Sequence, residues 1–587
     1  MRFSKSIQRA LTLSTGLALT TSLLATQALA QDVSPEDEEE SYEAIVVTGT
    51  RVTQGGAQDV KHFRSIALEE LDAGGLPSPA SFTVEGLLSE HDLTLPSKGK
   101  CEQLFCVSSH AMASTARATE HFVGIGFESG VDAEAYQAEP LSLIAVVDRS
   151  GSMSGQPIAK VKESLHAIVD QLRESDRLGI VIYGTTSLVH QEVIDVAGNK
   201  AELHRAIDSI GIDGSTSMEA GMKLGFKTAF AELDKARGKT RMMLFTDENP
   251  NTGNTSPEGF MAQAIDGSRK GVGLTTIGVA GHFDGALATK VSSVRGGNLF
   301  FVPYGESAKD LFAKEFANMV GEVAHDLVIS IDPANGVKVG AIYGVPNTLI
   351  KDAGTGTVTI TIGSAFLSSK GGGIFATLEG EAETAGLADI TVAYTDAVSQ
   401  KRESDTDYVI ASRSPPPDGL VKAELLVDQY VTTSEALALW HEKRDAKGAA
   451  KALDDLSTRI AAAELDGMGE EITLVDGLRQ KANRLAGLSG KRTLPSDLFG
   501  EWRVLRHKGV SDLSRGDYIE ITDDGEFITE RTRGRDKGDT IYQDFALNER
   551  QMHIEGSGLV FNYRVRGDKL RLTNRFEGTE IVMLRED

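Results

Sequence analysis

From Leu141 to Val147 the chain is apolar or small without a charged residue, and the run ends in Asp148. A stretch without polar alternation suits a strand covered on both faces. Ile158, Val161, Leu165, Ile168, Val169 and Leu172 then recur at helical spacing, with Pro157 near the start. Leu178–Tyr183 reads as the next strand and Met218–Phe230 as a helix. Arg241–Thr246, Leu274–Val279 and Asn298–Val302 read as further strands. Alternating β and α elements over residues 139–325 predict a doubly wound α/β domain with a largely parallel sheet.

The pattern changes on either side. Residues 60–138 read as mixed structure, with a turn at Leu76–Pro79, a short helix over Phe82–Leu88 and a strand over Thr119–Phe127. Residues 326–412 are glycine-rich and strand-like at Asp326–Ile331, Thr357–Ile362, Gly373–Gly380 and Asp389–Tyr394, which fits an antiparallel β-sandwich. A linker follows at 413–419, centred on Pro415, Pro416 and Pro417. Residues 420–490 are rich in Ala, Leu, Glu and Lys and predict two or three packed helices. From 495 to 587 eight short strands alternate with turns: Gly500–Arg506, Tyr518–Thr522, Glu526–Arg531, Thr540–Leu547, Gln551–Glu555, Leu559–Val565, Lys569–Thr573 and Glu580–Leu584. They predict a small closed barrel, with Asp523, Asp524 and Gly525 forming a hairpin turn.

A chain of 587 residues is too long for one core, which agrees with this multidomain division. Residues 1–30 read as a secretory signal peptide: Arg2, Lys5 and Arg9, then an apolar stretch from Ala10 to Leu24, then Ala28-Leu29-Ala30 before Gln31. No cysteine follows the cleavage position, so a lipid anchor is not expected. The mature chain is expected to be periplasmic or secreted. Residues 31–59 hold an acidic leader and a short strand, Tyr42–Arg51. Those ten residues also resemble the opening of the plug domain of TonB-dependent receptors, but no series of membrane-barrel strands follows. The net charge of −25 argues against nucleic acid and against anionic lipid. Nor is any later apolar stretch long enough to span a bilayer. Cys101 and Cys106 are the only cysteines. Export and close spacing favour a local disulfide, with two thiols as the alternative.

The candidate chemistry lies at the strand ends. Asp148, Ser150 and Ser152 form a DxSxS motif, which chance places in roughly one of seven chains of this length. Context adds discrimination. Thr216 stands before a predicted helix, and Asp247 ends a second apolar strand. Strand carboxyl ends of a parallel sheet share one edge, where ligands bind. Two carboxylates and three hydroxyls suit Mg²⁺, or Mn²⁺, better than a soft metal. The hydroxyls alone could be loop and helix caps, but caps do not require two strand-end aspartates as well.

With these residues in hand, the region 139–325 resembles a von Willebrand factor type A domain with a complete metal-ion-dependent adhesion site. The resemblance implies that Ser150, Ser152 and Thr216 hold the metal, with Asp148 and Asp247 direct or through water. It also implies one open position that a partner's Glu or Asp completes. One departure is that Glu248-Asn249-Pro250 follows Asp247 where such sites usually have glycine. Glu248 is read as pointing to solvent, with occupation of the open position as the alternative. Leu76–Leu88 and Ala324–Ala334 resemble segments flanking this domain in exported bacterial proteins of the same family. That implies one sandwich, built from strands near 120 and after 325, with the metal domain inserted.

Gly500-Glu501-Trp502 at the first barrel strand is similar to lipocalin-like domains. The barrel then holds a small apolar ligand, or is filled by side chains and serves as a binding module or spacer. His62, His110, His121, His166, His190, His204, His282, His325, His441, His507 and His553 are scattered and read as mostly exposed. The two serines lack a nucleophile-elbow frame. The chain is therefore expected to be an envelope protein that assembles or adheres through Mg²⁺ and is not an enzyme. The alternatives are a carrier of a small apolar ligand and a Mg²⁺-dependent hydrolase, the latter without a base or nucleophile to support it.

Overall fold

The computed structural model describes residues 63, 67 and 75–586, apart from 80–81, 116–119, 131–138, 234, 236–237, 248–255, 280–293, 303–306, 346–348, 355, 367–372, 381–385, 412–413, 489–496, 511–512, 524, 533–536 and 555–558. The expected signal peptide, the acidic leader, the Tyr42–Arg51 strand and Glu248 lie outside the described residues.

Helix α1 (Val84–Ser89) and strands β1 (Cys106–Ala113) and β2 (Glu120–Glu128) come first. The α/β domain runs β3 (Leu141–Asp148), α2 (Gln156–Gln171), β4 (Arg177–Tyr183), β5 (Ser187–Asp195), α3 (Lys200–Asp208), α4 (Met218–Leu233), β6 (Lys239–Thr246), α5 (Pro257–Arg269), β7 (Val272–Val279), β8 (Gly297–Val302) and α6 (Ala308–Val320). Strands β9 (Glu322–Pro333), β10 (Lys338–Tyr343), β11 (Ile350–Asp352), β12 (Val358–Phe366), β13 (Gly373–Glu379), β14 (Gly386–Asp396) and β15 (Arg402–Ile410) follow. Helices α7 (Asp418–Lys443), α8 (Ala446–Ala463) and α9 (Gly469–Leu485) lead to the barrel. Its strands are β16 (Gly500–Lys508), β17 (Tyr518–Ile521), β18 (Glu526–Glu530), β19 (Thr540–Leu547), β20 (Gln551–Ile554), β21 (Leu559–Arg566), β22 (Lys569–Asn574) and β23 (Thr579–Arg585).

The α/β sheet has the order β5-β4-β3-β6-β7-β8. Strands β4, β3, β6, β7 and β8 are parallel, and β5 is antiparallel at the edge. All eight residues of β3 are buried. Its side chains alternate between two cores, as a period of two requires. Leu141, Leu143, Ala145 and Val147 meet α2, α3 and α6 on one face. Ile144 and Val146 meet α4 and α5 on the other. Strand β5 was not expected from the chain, because its residues are half-exposed and polar ones interrupt its apolar positions.

The sandwich pairs a sheet of order β1-β2-β13-β10 with one of order β11-β12-β9-β14-β15. Strand β2, ahead of the α/β domain, is antiparallel to β13, which lies after it. The α/β domain is therefore inserted into the sandwich. One lateral edge is closed by side chains: the amides of Val107 and Ser109 on β1 donate to Asp405 and Asp407 on β15, at 2.9 and 2.7 Å. Cys101 and Cys106 form a disulfide just ahead of β1.

Helices α7, α8 and α9 pack against the outer face of the first sheet, around Phe122 and Phe375. A buried polar group crosses this layer. Glu471 of α9 accepts from Gln429 of α7, and His91 Nε2 lies 3.0 Å from Glu471 Oε1. The barrel closes between β16 and β23. Trp502, Phe527, Phe545, Phe561 and Met583 are among the side chains that fill its interior. Trp502 is fully buried, donates from Nε1 to Leu498 O at 2.9 Å and lies 4.2 Å beneath the Arg585 guanidinium.

Candidate metal centre at the carboxyl edge

Parallel register places Asp148 opposite Tyr183, and Val147 opposite Phe245. Three strand ends therefore reach the same edge. Asp148 is fully buried and bound on both oxygens. Its Oδ1 accepts from the Ser150 amide at 2.9 Å, which folds the chain back into a tight turn. Its Oδ2 accepts from Tyr183 OH at 3.1 Å and from Thr246 Oγ1 at 3.0 Å. A short 3₁₀ turn, Gly151–Met153, follows and is anchored by the buried Met153. It presents Ser150 Oγ and Ser152 Oγ 3.1 Å apart.

Backbone bonds tie the Thr216 loop to this turn. Asp213 N donates to Arg149 O, and Gly151 N to Gly214 O, each at 2.7 Å. Arg149 Nη2 also donates to Asp213 Oδ2 at 2.9 Å. Ser217 N reaches Gly184 O at the end of β4. Gly214 has φ +49, and a Cβ there would lie 2.4 Å from Thr185 Oγ1. Both facts call for glycine. Gly221 of α4 serves a different need: a Cβ would lie 2.4 Å from the Tyr183 ring, so only glycine lets the helix rest on β4.

The five residues singled out from the chain thus lie at one edge. Ser150, Thr216 and Asp247 are buried, like Asp148, and Ser152 is exposed at the rim. Burial pushes the Asp148 carboxyl up to about 6; the Ser150 bonds oppose this and the charge of Asp247 adds to it. Two near-buried carboxylates with three hydroxyls make an all-oxygen set, which fits a hard dication. Among the described residues, no three His, Cys, Asp or Glu side chains gather as a metal cluster.

Tyr183 and Thr246 were not foreseen as site residues, although they fix the Asp148 carboxylate. Their signal appears only once strands are aligned: one faces Asp148, and the other immediately precedes Asp247. The expectation that the histidines are mostly exposed is corrected. His325 and His553 are buried, and His166 and His204 meet on adjacent helices. His553 Nδ1 lies 2.9 Å from Thr473 Oγ1, joining the barrel to α9.

The opposite edge of the same sheet was also unforeseen. A cavity of about 290 Å³ lies there, lined by Lys239, Arg241, Arg295, Glu322 and His325. Arg241 is buried, donates to Thr275 Oγ1 and Gly296 O at 2.8 Å each, and has its pKa lowered to about 10 by burial.

Residues 142–314 match the model of the von Willebrand factor type A domain. The chain is 31% identical over 193 residues to the Escherichia coli (strain K12) protein YfbK, a match covering 32% of this chain and 33% of that one. It is 27% identical over 212 residues to inter-alpha-trypsin inhibitor heavy chain H4 of Sus scrofa, covering 35% and 23%. The chain thus spans a third or less of the length of these two relatives. The solved von Willebrand factor type A protein from Catenulispora acidiphila aligns with 67% of this chain and 90% of its own, at 12% identity and a TM-score of 0.40. Domains of this type typically mediate protein–protein interaction or adhesion, and commonly bind a divalent metal. The inserted α/β unit of this chain is a von Willebrand factor type A domain.

Proposed function

We propose that the chain is an exported envelope protein that binds another protein through a metal held at the carboxyl edge of the inserted domain. Asp148, Ser150, Ser152, Thr216 and Asp247 would hold Mg²⁺, or Mn²⁺. The bound ion would supply an open coordination position for a Glu or Asp carboxylate of the partner. The observation that carries this reading is the burial of two like-charged carboxylates side by side, with hydroxyl donors converging on the same edge.

The chain's own residues prepare the site. Tyr183 and Thr246 fix the orientation of Asp148. The bonds from Asp213 and Gly151 hold the two hydroxyl-bearing loops in register. Ser152 lies at the exposed rim, where a partner can approach. The proposed role is binding and not catalysis.

The test is thermal melting with Mg²⁺ and with chelator, for the wild type and for Asp148→Ala. Mg²⁺ is expected to raise the wild-type midpoint and to leave the variant unchanged. Capture of one protein from periplasmic extract is expected only with Mg²⁺ and only by the wild type. Identical wild-type melting with and without metal would sink the proposal.

A further inference from the structure

A second cluster of polar side chains lies on the flank of the same domain. His166 of α2 and His204 of α3 approach with their Nδ1 atoms 2.7 Å apart. The ring centroids are 4.9 Å apart and the planes inclined by 25°. Two imidazoles reach that centroid distance, with nitrogens so close, only when they meet edge to edge. The two Nδ1 lone-pair directions therefore point at each other.

The far sides of both rings face carboxylates. His166 Nε2 lies 3.1 Å from Asp208 Oδ1, and His204 Nε2 lies 3.5 Å from Asp170 Oδ1. A carboxylate accepts hydrogen bonds, so donation from Nε2 to these carboxylates turns each Nδ1 lone pair toward the gap. Two lone pairs face to face repel unless a shared proton or a metal ion lies between them. Lys162 and Lys200 also reach this flank, where they donate to the backbone carbonyls of Asp208 and Asp170 at 2.9 and 3.1 Å.

We propose that His166 and His204 bind one borderline transition-metal dication, of the class of Zn²⁺, Ni²⁺ or Cu²⁺, with Asp208 and Asp170 orienting the rings from behind. Imidazole suits these ions, whereas hydroxyl and carboxylate oxygens suit Mg²⁺. A carboxylate behind a ligating histidine is the common supporting arrangement at such sites. Two Zn–N bonds in tetrahedral geometry place the nitrogens about 3.3 Å apart. The rings need to open only slightly, and both side chains are 32% exposed. That exposure leaves room for water to complete the coordination. The site also has a place in the architecture. Helix α2 follows the turn bearing Ser150 and Ser152, and α3 leads into the loop bearing Thr216. An ion across the two helices would tie both sides of the carboxyl edge together.

Calorimetric titration of the chelator-stripped full chain with ZnCl₂ tests the proposal. The wild type is expected to bind one equivalent that millimolar Mg²⁺ does not displace and that Asp148→Ala retains. His166→Ala and His204→Ala are each expected to weaken that event about tenfold or more, and Asp208→Asn about tenfold. His204→Gln keeps a polar side chain of similar reach. It is expected to melt like the wild type without metal and still to lose the Zn²⁺ event. An unchanged Zn²⁺ event in a chain carrying both alanine substitutions overturns the proposal, as does displacement by Mg²⁺.

Discussion

Asp148 and Asp407 both accept bonds from a backbone amide and a hydroxyl, and their carboxyls are shifted in opposite directions. Asp407 sits on the sandwich edge and takes Ser109 N at 2.7 Å, Ser109 Oγ at 2.6 Å and the Lys98 ammonium at 2.6 Å. Burial works against its charge, but the bonds from Lys98 and Ser109 outweigh burial and hold it below its ordinary value. Asp148 is more deeply buried, its donors are neutral, and the neighbouring Asp247 has its own sign. One carboxylate has its counter-ion within the chain and serves the fold. The other is held in place without a charged partner of opposite sign, as the proposed metal ligand would be before the ion binds.

Asp148→Asn gives the largest expected effect. Raising an aspartate from 3.8 to about 6 corresponds to about 3 kcal/mol of lost folded-state stability when it is ionised. The variant should unfold at higher urea than the wild type in chelator and gain nothing from Mg²⁺. A less stable variant in chelator would remove the contrast between the two carboxylates. Asp407→Ala should do the reverse and lose about 2 kcal/mol, equally with and without Mg²⁺. Its pH signature follows from the lowered pKa. The stabilisation is complete above the ordinary value of 3.8 and is lost as pH falls through the folded value. Urea midpoints of Asp407→Asn should therefore fall less steeply than those of the wild type in that acid range. Gly214→Ala should have the smallest effect, about 1 kcal/mol from its positive φ, with a weaker Mg²⁺-induced rise in melting temperature. Thr185→Ala in the same chain removes the 2.4 Å clash and should restore part of that rise.

What the chain revealed by pattern follows what is buried. Strand β3 is covered on both faces and reads as an unbroken apolar run. Most of the barrel strands alternate inward and outward and were visible one by one. Strands β5 and β15 were not, for they lie at sheet edges and are mostly half-exposed or exposed. In β15 Glu403, Asp405 and Asp407 are half-exposed and polar, and the two aspartates accept from the amides of β1. At the candidate centre the strand-end aspartates and the turn serines could be read from spacing. Tyr183 and Thr246 could not, because their role depends on the register of β3 with both neighbours. His166 and His204 stand 38 residues apart, and only the packing of α2 on α3 brings them together.

The insertion has a mechanical consequence. The chain enters the domain from β2 and leaves it from α6, which passes into β9 through the single residue Gly321. Both β2 and β9 are interior strands, each flanked on two sides in its own sheet. A pull on anything held at the carboxyl edge is therefore carried by two tethers, one into each sheet of the sandwich. Neither tether can be peeled from an open edge. Each must shear two ladders at once, so tension is shared across the sandwich before any one strand yields.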